Sequence, residues 1–549
     1  MADRRKNILF IMYDQLRFDY LGCTGHPHLK TPHFDRVAAM GVRFSRAYVQ
    51  SPICGASRMS FYTGRYVHSH GASWNGYPLK VGESTLGDHL RQAGMDAVLV
   101  GKTHMRVDAD GMERLGLSRD TMIGARVAEC GFDLWERDDG LWGKGPDGYY
   151  DRGPQPYNDY LKAKGYPGDN PWHDFANAAL DENGDMASGW FMKNAGRPAN
   201  IAEEDSETPY MTRRAEEFIA SAHDRPWLCH LSYIKPHWPY IVPAPYHAIY
   251  GPADVQPAIR SQRERQDPHP VYEAFMNNQI GRAFQREAVR EKVIPAYMGL
   301  IKQCDDQLGR LLAFLEERGD LADTMIVITS DHGDYLGDHW LGEKDLFHEQ
   351  SVKVPLIVYD PSPEADATRG TVCDQLVESI DLAATFIEAA GAAVPDHIME
   401  GRSLLPFVHG KTPETWRDFA VSEYDYGPTP MAAELGVAPD RARLFMVADR
   451  RWKYIHAEGF RPMLFDLETD PDEFRDLGGD PDHADVAAMM AERLAAWARR
   501  PSQRTTRSNA EIEAMRHGGG RTGILIGLYD DAEVDPELTQ AYRGRPGRD

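Results

Sequence analysis

A chain of 549 residues, 42% hydrophobic and 26% charged, has length for one large domain with its own core and a smaller companion. Its net charge of −23 argues against nucleic acid or an anionic membrane as the main partner. An enzyme of this composition acting on an anion must supply its own local cluster of cations.

The chain opens on "MADRRKNILFIMYDQ". A basic start and an apolar run mimic a secretory leader, but Ile8–Tyr13 is short for one and Asp14 interrupts it. No apolar stretch is long enough to span a bilayer, so the expectation is a cytoplasmic protein with no membrane partner. The six cysteines (Cys23, Cys54, Cys130, Cys229, Cys304, Cys373) are scattered and read as free thiols.

Further apolar runs follow in order. "NILFIMYDQ" ends at Asp14, "DAVLVGKTHM" at Lys102 and His104, and "WLCHLSYIKPHWPY" near His237. "TMIVITSDHGD" ends at Asp331 and His332, and "VPLIVYDP" is a fifth run. Runs apolar on both faces suit strands of a buried parallel sheet. Two amphipathic stretches, Ala296–Gly319 and Cys373–Gly391, read as helices closed by glycine. Alternating strands and helices predict an α/β sandwich, whose ligands bind beyond the carboxyl ends of the strands.

The catalytic region is expected over residues 1–400. Within it about 131–205, rich in Gly, Pro, Asp, Trp and Tyr, reads as an insertion that either walls the site or decorates the surface. Residues 401–500 predict a small α+β subdomain with short antiparallel strands. Residues 501–549 form a polar arm suited to packing on a neighbouring subunit, or a disordered tail.

Two motifs carry chemistry by themselves. "TSDHGDYLGDHW" places Asp331 and His332 at a strand end, with Gly333 allowing a tight turn. Together with Asp14 they form a divalent-metal set; the plainer alternative is that both aspartates cap helices. "GKTH" suggests a phosphate-cradling loop, but Asp96 stands where that loop needs its first glycine. Lys102 and His104 instead read as two donors on one side of a strand end, aimed at an anion. Ser57 lacks the G-x-S-x-G elbow of a serine hydrolase.

In "SPICGASRMSFYTGRY", Cys54 is followed by Arg58 and then by a Thr-Gly turn. This stretch resembles the sulfatase signature, Cys-x-Pro-x-Arg or a close variant. "VGKTHM" and "KPHWPY" resemble two further motifs of that family, and the likeness runs in order from about residue 7 to 470. Asp14–Gln15 and Asp331–His332 look most like the phosphonate monoester hydrolases, bacterial arylsulfatases and choline sulfatases within it. The resemblance implies an alkaline-phosphatase-like sandwich with a large, mostly parallel central sheet. It implies one divalent metal ion, Mn2+ or Ca2+, and a formylglycine made from Cys54 by a formylglycine-generating enzyme. Three departures stand out: Ala56 replaces the usual proline, and Gln15 and His332 replace Asp and Asn. The imidazole shifts preference from Ca2+ toward Mn2+. Lys102 and His104 match sulfatases, where phosphonate hydrolases carry uncharged residues.

Roles follow from the same resemblance. Asp14, Asp331, His332 and modified Cys54 are expected to bind the metal, with Gln15 a further ligand. Lys102, His104 and Lys344 would contact charged oxygens, and Asn75 a substrate oxygen. His237 or Lys344 would protonate the leaving group, and His104 would serve as base. Arg58, one turn after Cys54, would hold the hydrated aldehyde and balance charge. Trp74, Tyr77, Trp238 and Tyr240 flank the motifs and would seat an aryl or quaternary ammonium group, or belong to the core. The expected function is hydrolysis of small sulfate monoesters through a covalent sulfo-enzyme. The alternative is a phosphonate monoester or phosphodiester hydrolase using the same site. A homo-oligomer, dimer or tetramer, is expected.

Overall fold

The run NILFIMYD forms strand β1 (Asn7–Asp14), whose successive side chains take opposite faces of one sheet. Ile8, Phe10 and Met12 enter one core, and Leu9, Ile11 and Tyr13 another. A strand covered on both faces shows no polar alternation, hence the unbroken apolar run. The other strands of this sheet are β2 (Val42–Tyr48), β3 (Asp96–Gly101), β4 (Asp133–Arg137), β5 (Trp227–Pro236), β6 (Thr324–Ser330), β7 (Lys353–Tyr359) and β8 (Thr371–Glu378). Their order is β8-β2-β7-β6-β1-β5-β3-β4. The computed structural model describes residues 6–118, 120–140, 156–222, 225–516, 530 and 532.

The sheet is mostly parallel, as expected, with one exception. The run VPLIVY does not lie parallel to its neighbours: β7 is antiparallel to both β6 and β2. Apolar periodicity reports burial, not direction. Between Ser330 and Lys353 the chain makes only short turns of helix and no crossover helix of the kind that usually joins parallel strands. β4 lies inside the stretch read as an insertion, so that stretch begins as the edge strand of the main sheet. Its residues 141–155 lie outside the described residues.

Helices cover both faces. α1 (Pro32–Met40), α3 (Glu207–Ser221) and α4 (Glu287–Arg318) pack on one side, with α2 (Cys54–Thr63) and α5 (Asp381–Ala389) on the other. α4 starts earlier than its sequence suggests and carries Pro295 inside. The carbonyl freed by that proline belongs to Glu291, an exposed residue that water can serve. The stretch Cys373–Gly391 is not one helix. Its first part is β8, paired with β2, and only Asp381–Ala389 is helical. The Asp381 carboxylate accepts the Glu378 N–H at 2.8 Å, which fixes the change from strand to helix.

A second sheet is an antiparallel meander of β9 (Ala420–Asp425), β10 (Arg443–Ala448), β11 (Trp452–Ala457) and β12 (Met463–Asp466). Helix α6 (Ala484–Ala498) lays Met490, Leu494 and Trp497 on it. Residues 1–394 and 399–500 form one compact unit. A second unit, 395–398 with 501–549, contains a helix at Asn509–Arg516. Most of the arm expected at 501–549 lies outside the described residues. Among the described residues no helix is long and apolar enough to cross a membrane.

Lys453 ties this second sheet to the loop after β6. Fully buried, it donates to Phe347 O and Glu349 Oε1 at 2.9 Å and pairs with Glu473 Oε1 at 2.8 Å. Burial alone would raise the Glu349 carboxyl, but Lys453 and Lys353 bring it down to about 2. This contribution is complete above the ordinary carboxylate range and is lost as pH falls toward 2. Lys453→Met leaves buried carboxylates without their cation. It is expected to lower unfolding free energy by about 3–5 kcal/mol in urea titrations at neutral pH. A change below about 1 kcal/mol would contradict the assignment.

Candidate active site

Five parallel strands deliver their carboxyl ends to one edge of the sheet, and the chemically capable residues gather there. Asp14 closes β1, Asp331 follows β6, Lys102 follows β3 and His237 follows β5. The segment after β2 leads into α2, whose first residue is Cys54. Gly55 is required behind it: a β-carbon there would lie 2.9 Å from Asn75 Oδ1 and 3.3 Å from Trp74 O.

Arg58 organises the anions. Its Nε donates to Asp331 Oδ2 at 2.8 Å and its Nη2 to Asp14 Oδ2 at 3.1 Å. Nη1 reaches Lys102 O at 2.9 Å and Ser232 Oγ at 2.7 Å. Lys102 Nζ lies 2.5 Å from the same Asp14 Oδ2. Burial opposes ionisation of Asp14, but the cations beside it, Lys102 and Arg58, hold its carboxyl well below the usual range. The cations therefore consume the two Oδ2 atoms and leave the two Oδ1 atoms facing inward.

Those inward atoms meet His332 and Cys54. His332 Nε2 lies 3.8 Å from Asp14 Oδ1, 3.8 Å from Asp331 Oδ1 and 2.9 Å from Cys54 Sγ. Its Nδ1 sits 2.8 Å from Gly333 O, so the network assigns the proton to Nδ1 and the lone pair to Nε2. Burial lowers the His332 pKa, which keeps the ring in the neutral form that ligates. One donor atom each from Asp14, Cys54, Asp331 and His332 falls within 4.8 Å of the others. Two carboxylates, an imidazole lone pair and residue 54, oriented by the bonds from Arg58 and to the Gly333 carbonyl, fit a divalent cation. Glu264, His339 and His348 also come together, but the two rings stack at 3.7 Å and 4°. Their lone pairs run side by side and do not converge.

The cations surround the thiol. Lys344 Nζ is 3.2 Å from each of Cys54 Sγ, Gln15 Oε1 and His237 Nε2. It is held there by a backbone with left-handed φ on both sides, 57° at Glu343 and 106° at Asp345. His237 Nδ1 lies 2.7 Å from Trp238 O, which takes its proton and leaves Nε2 to accept from Lys344. Burial lowers the pKa of His237 and His104 well below the imidazole value. The backbone N–H groups of Thr103 and His104 donate to Asp139 Oδ1 at 3.2 and 2.7 Å, which fixes the His104 turn. Burial, reinforced by Asp14, pushes the Cys54 thiol up to about 11.

The structure thus brings Asp14, Gln15, Cys54, Arg58, Lys102, His237, Asp331, His332 and Lys344 into one network. Asn75 is close by, but its Oδ1 already accepts the Gly55 N–H at 2.8 Å, leaving its NH2 for a ligand. Of the flanking aromatics, Tyr240 is buried with its hydroxyl on Asp334 at 2.6 Å, and so is no seat for a substrate ring. Trp74 stacks on Tyr424 at 5.7 Å, and Trp238 lies against Lys344 at 6.0 Å. Sequence reasoning missed Ser232, Asp139 and Asp334. Ser232 and Asp334 sit inside quoted motifs, but nothing in their spacing marks them as partners of Arg58 or Gln15.

An α/β sandwich with such an edge site, cation-rich within an acidic chain, defines a hydrolase of anionic esters. Residues 6–392 match the family described as Sulfatase, and residues 337–500 the one described as N-sulphoglucosamine sulphohydrolase, C-terminal. The chain belongs to the sulfatase family of the alkaline phosphatase superfamily. It is 30% identical to the multifunctional alkaline phosphatase superfamily protein PehA of Trinickia caryophylli, over 91% of this chain and 96% of that one. It is 28% identical to an arylsulfatase of Clostridium perfringens, over 86% and 90%. The phosphonate monoester hydrolase of Silicibacter pomeroyi has a similar structure, with TM-score 0.78 and 28% identity over 91% and 96%. The chain is a hydrolase of sulfate or phosphonate esters.

Proposed function

We propose that the chain hydrolyses sulfate monoesters, in the manner of an arylsulfatase, with the transferred group carried covalently on residue 54 as formylglycine. The supporting observation is the thiol itself. Cys54 is wholly buried among anions and cations, and burial with the Asp14 charge raises its thiol to about 11, which disfavours the thiolate unless a metal ion is bound. A neutral thiol is a poor nucleophile, whereas its aldehyde product hydrates to a diol. A divalent ion, Mn2+ in preference to Ca2+, would be held by Asp14, Asp331, His332 and residue 54, with Gln15 Oε1 a further oxygen; when bound it supplies Lewis acidity that lowers the pKa of a hydroxyl.

The chain's own residues do the rest. Arg58 pairs with one oxygen of each carboxylate and turns the other inward. Lys102, His104, Lys344 and the Asn75 NH2 bind the charged oxygens of the ester. Because His237 Nε2 accepts from Lys344, the proton for the leaving alcohol sits on Lys344 Nζ, and His237 aims it. His104, neutral by burial, takes the proton that releases the product. The reading includes maturation by a formylglycine-generating enzyme and action in the cytoplasm. All six cysteines are free thiols, the state a reducing compartment keeps. It also includes a dimer or tetramer joined by the 501–549 arm.

A second reading, phosphonate monoester or phosphodiester hydrolysis, is favoured by the likeness to phosphonate monoester hydrolases, at TM-scores of 0.78 and 0.76. Both ester classes carry one negative charge, so charge does not separate them. Cleavage of a sulfate ester moves most charge to the leaving oxygen, where Lys344 stands. Parallel kcat/KM measurements on an aryl sulfate and the phenylphosphonate of the same phenol decide. The sulfate is expected to be at least comparable. A phosphonate preference above about 100-fold, ~2.7 kcal/mol, selects the second reading. Turnover of neither ester overturns both.

A further inference from the structure

Asp334 and Tyr240 meet Gln15 on the side turned away from Lys344. Gln15 Nε2 donates to Asp334 Oδ2, and to the Tyr240 hydroxyl at 3.1 Å. That hydroxyl donates in turn to the same Oδ2 at 2.6 Å. The other carboxylate oxygen accepts the Leu336 N–H at 2.9 Å, so Asp334 is fixed through both oxygens. Gln15 and Asp334 are fully buried and Tyr240 nearly so. The Gln15 backbone is pinned as well. Its φ is 65°, its carbonyl accepts the Tyr297 hydroxyl at 2.7 Å, and its N–H donates to Asp331 at 3.1 Å. What remains to be set is which way round the amide faces. Oδ2 accepts the Tyr240 hydroxyl and Oδ1 the Leu336 N–H, so Asp334 faces the amide as an acceptor, and the amide atom opposite it is nitrogen. The oxygen is thereby turned to Lys344 Nζ, 3.2 Å away.

We propose that Asp334, assisted by Tyr240, is a positioning residue of the site: it orients the Gln15 amide so that oxygen, not NH2, faces Lys344 and the metal-ligand set. A reversed amide would set two donors against each other in a dry pocket and offer a cation no oxygen. Lys344 would then shift from Cys54 Sγ and His237 Nε2, its other two partners. The inference rests on the ester-hydrolase reading and assigns a residue which that reading does not require.

Asp334→Asn tests it, because asparagine carries a donor and an acceptor and tolerates either amide orientation. Three quantities are measured on the matured protein: the leaving-group dependence of kcat/KM across aryl sulfates, release of Mn2+ to a chelator, and Tm. Asp334→Asn is expected to lose about 30-fold with poor leaving groups and much less with good ones. Mn2+ should be released about tenfold more readily. Tyr240→Phe should move both readouts in the same direction by a smaller factor. Gln15→Glu alone sets a second carboxylate against Asp334. Adding Asp334→Asn gives it a donor again, and the double variant should regain tenfold or more of the Mn2+ retention lost. A lowered Tm with parental slope and parental Mn2+ retention overturns the proposal. So does a double variant no better than Gln15→Glu. If Asp334→Asn does not fold, Tyr240→Phe decides with the same readouts. If the parent protein cleaves neither ester, the functional reading fails, and Mn2+ retention still decides the positioning role.

Discussion

Cys54→Ser will transfer one group and stop. Cys54 opens α2 with its side chain fully buried, 2.9 Å from His332 Nε2 and 3.2 Å from Lys344 Nζ. A serine oxygen fits the same place and can take the group from an ester. It has no second hydroxyl with which to expel that group, and hydrolysis must wait for water at a buried atom. Steady-state turnover is expected to fall by at least about 10⁴-fold, ~5.5 kcal/mol of barrier. Rapid quench should show a burst of one phenol per chain, and intact mass should show the ester on residue 54. Turnover within tenfold of the parent would remove residue 54 from the proposed role. The unmodified chain makes the companion case. A plain thiol has no second hydroxyl either, so protein made without the maturing enzyme should be inactive. Peptide mass spectrometry that finds only thiol in a fully active sample rejects the modification.

Asp331→Asn is expected to cost about 4 kcal/mol of barrier, roughly 10³-fold in kcat/KM, through two losses at once. Asp331 Oδ2 takes the Arg58 Nε–H at 2.8 Å, while Oδ1 takes the N–H groups of Gln15 and His332 at 3.1 and 3.0 Å. Both oxygens are acceptors, and an amide supplies only one. Either its NH2 opposes the Arg58 guanidinium or it opposes two backbone N–H groups. Arg58 is then left in a dry site with Asp14 alone, which it already shares with Lys102. Removing one partner of a buried ion pair typically costs about 3–5 kcal/mol of stability. The variant should therefore melt earlier and retain less than one metal ion per chain by elemental analysis. Ser57→Ala is the control, because Ser57 Oγ donates to the Asp331 backbone carbonyl, at 2.6 Å, and not to its carboxylate. A tenfold or smaller loss of activity at full metal content would contradict the assignment.

The strand ends were legible because burial writes itself into composition. A strand covered on both faces must be apolar throughout, and it becomes polar where it leaves the sheet. Asp14, Lys102, His237 and Asp331 all stand at such breaks. The spacing from Cys54 to Arg58 was legible for a related reason, since one helical turn sets both on the same face. The direction of β7 was not legible, because period and apolarity are the same read forwards or backwards. Nor was the division of Cys373–Gly391. Leu376 and Val377 pack equally well from a strand, and only the pairing with β2 decides.

Within the site, the sequence by itself singled out Asp14, Lys102, His237 and Asp331 as polar breaks after buried strands, and Cys54 with Arg58 on one turn of a buried helix. Tertiary structure alone decided which atom of each faces inward. Asp14 and Asp331 each offer two equivalent oxygens until Arg58 and Lys102 claim one. His332 and His237 each offer two nitrogens until the Gly333 and Trp238 carbonyls take one proton apiece. Gln15 faces two ways until Asp334, more than 300 residues away along the chain, admits only its nitrogen. For Asp14, Asp331 and Gln15 the partners that set hydrogen-bond direction are distant in sequence and adjacent only after folding; for the two histidines the partner is the carbonyl of the next residue, which faces the ring only in the folded backbone.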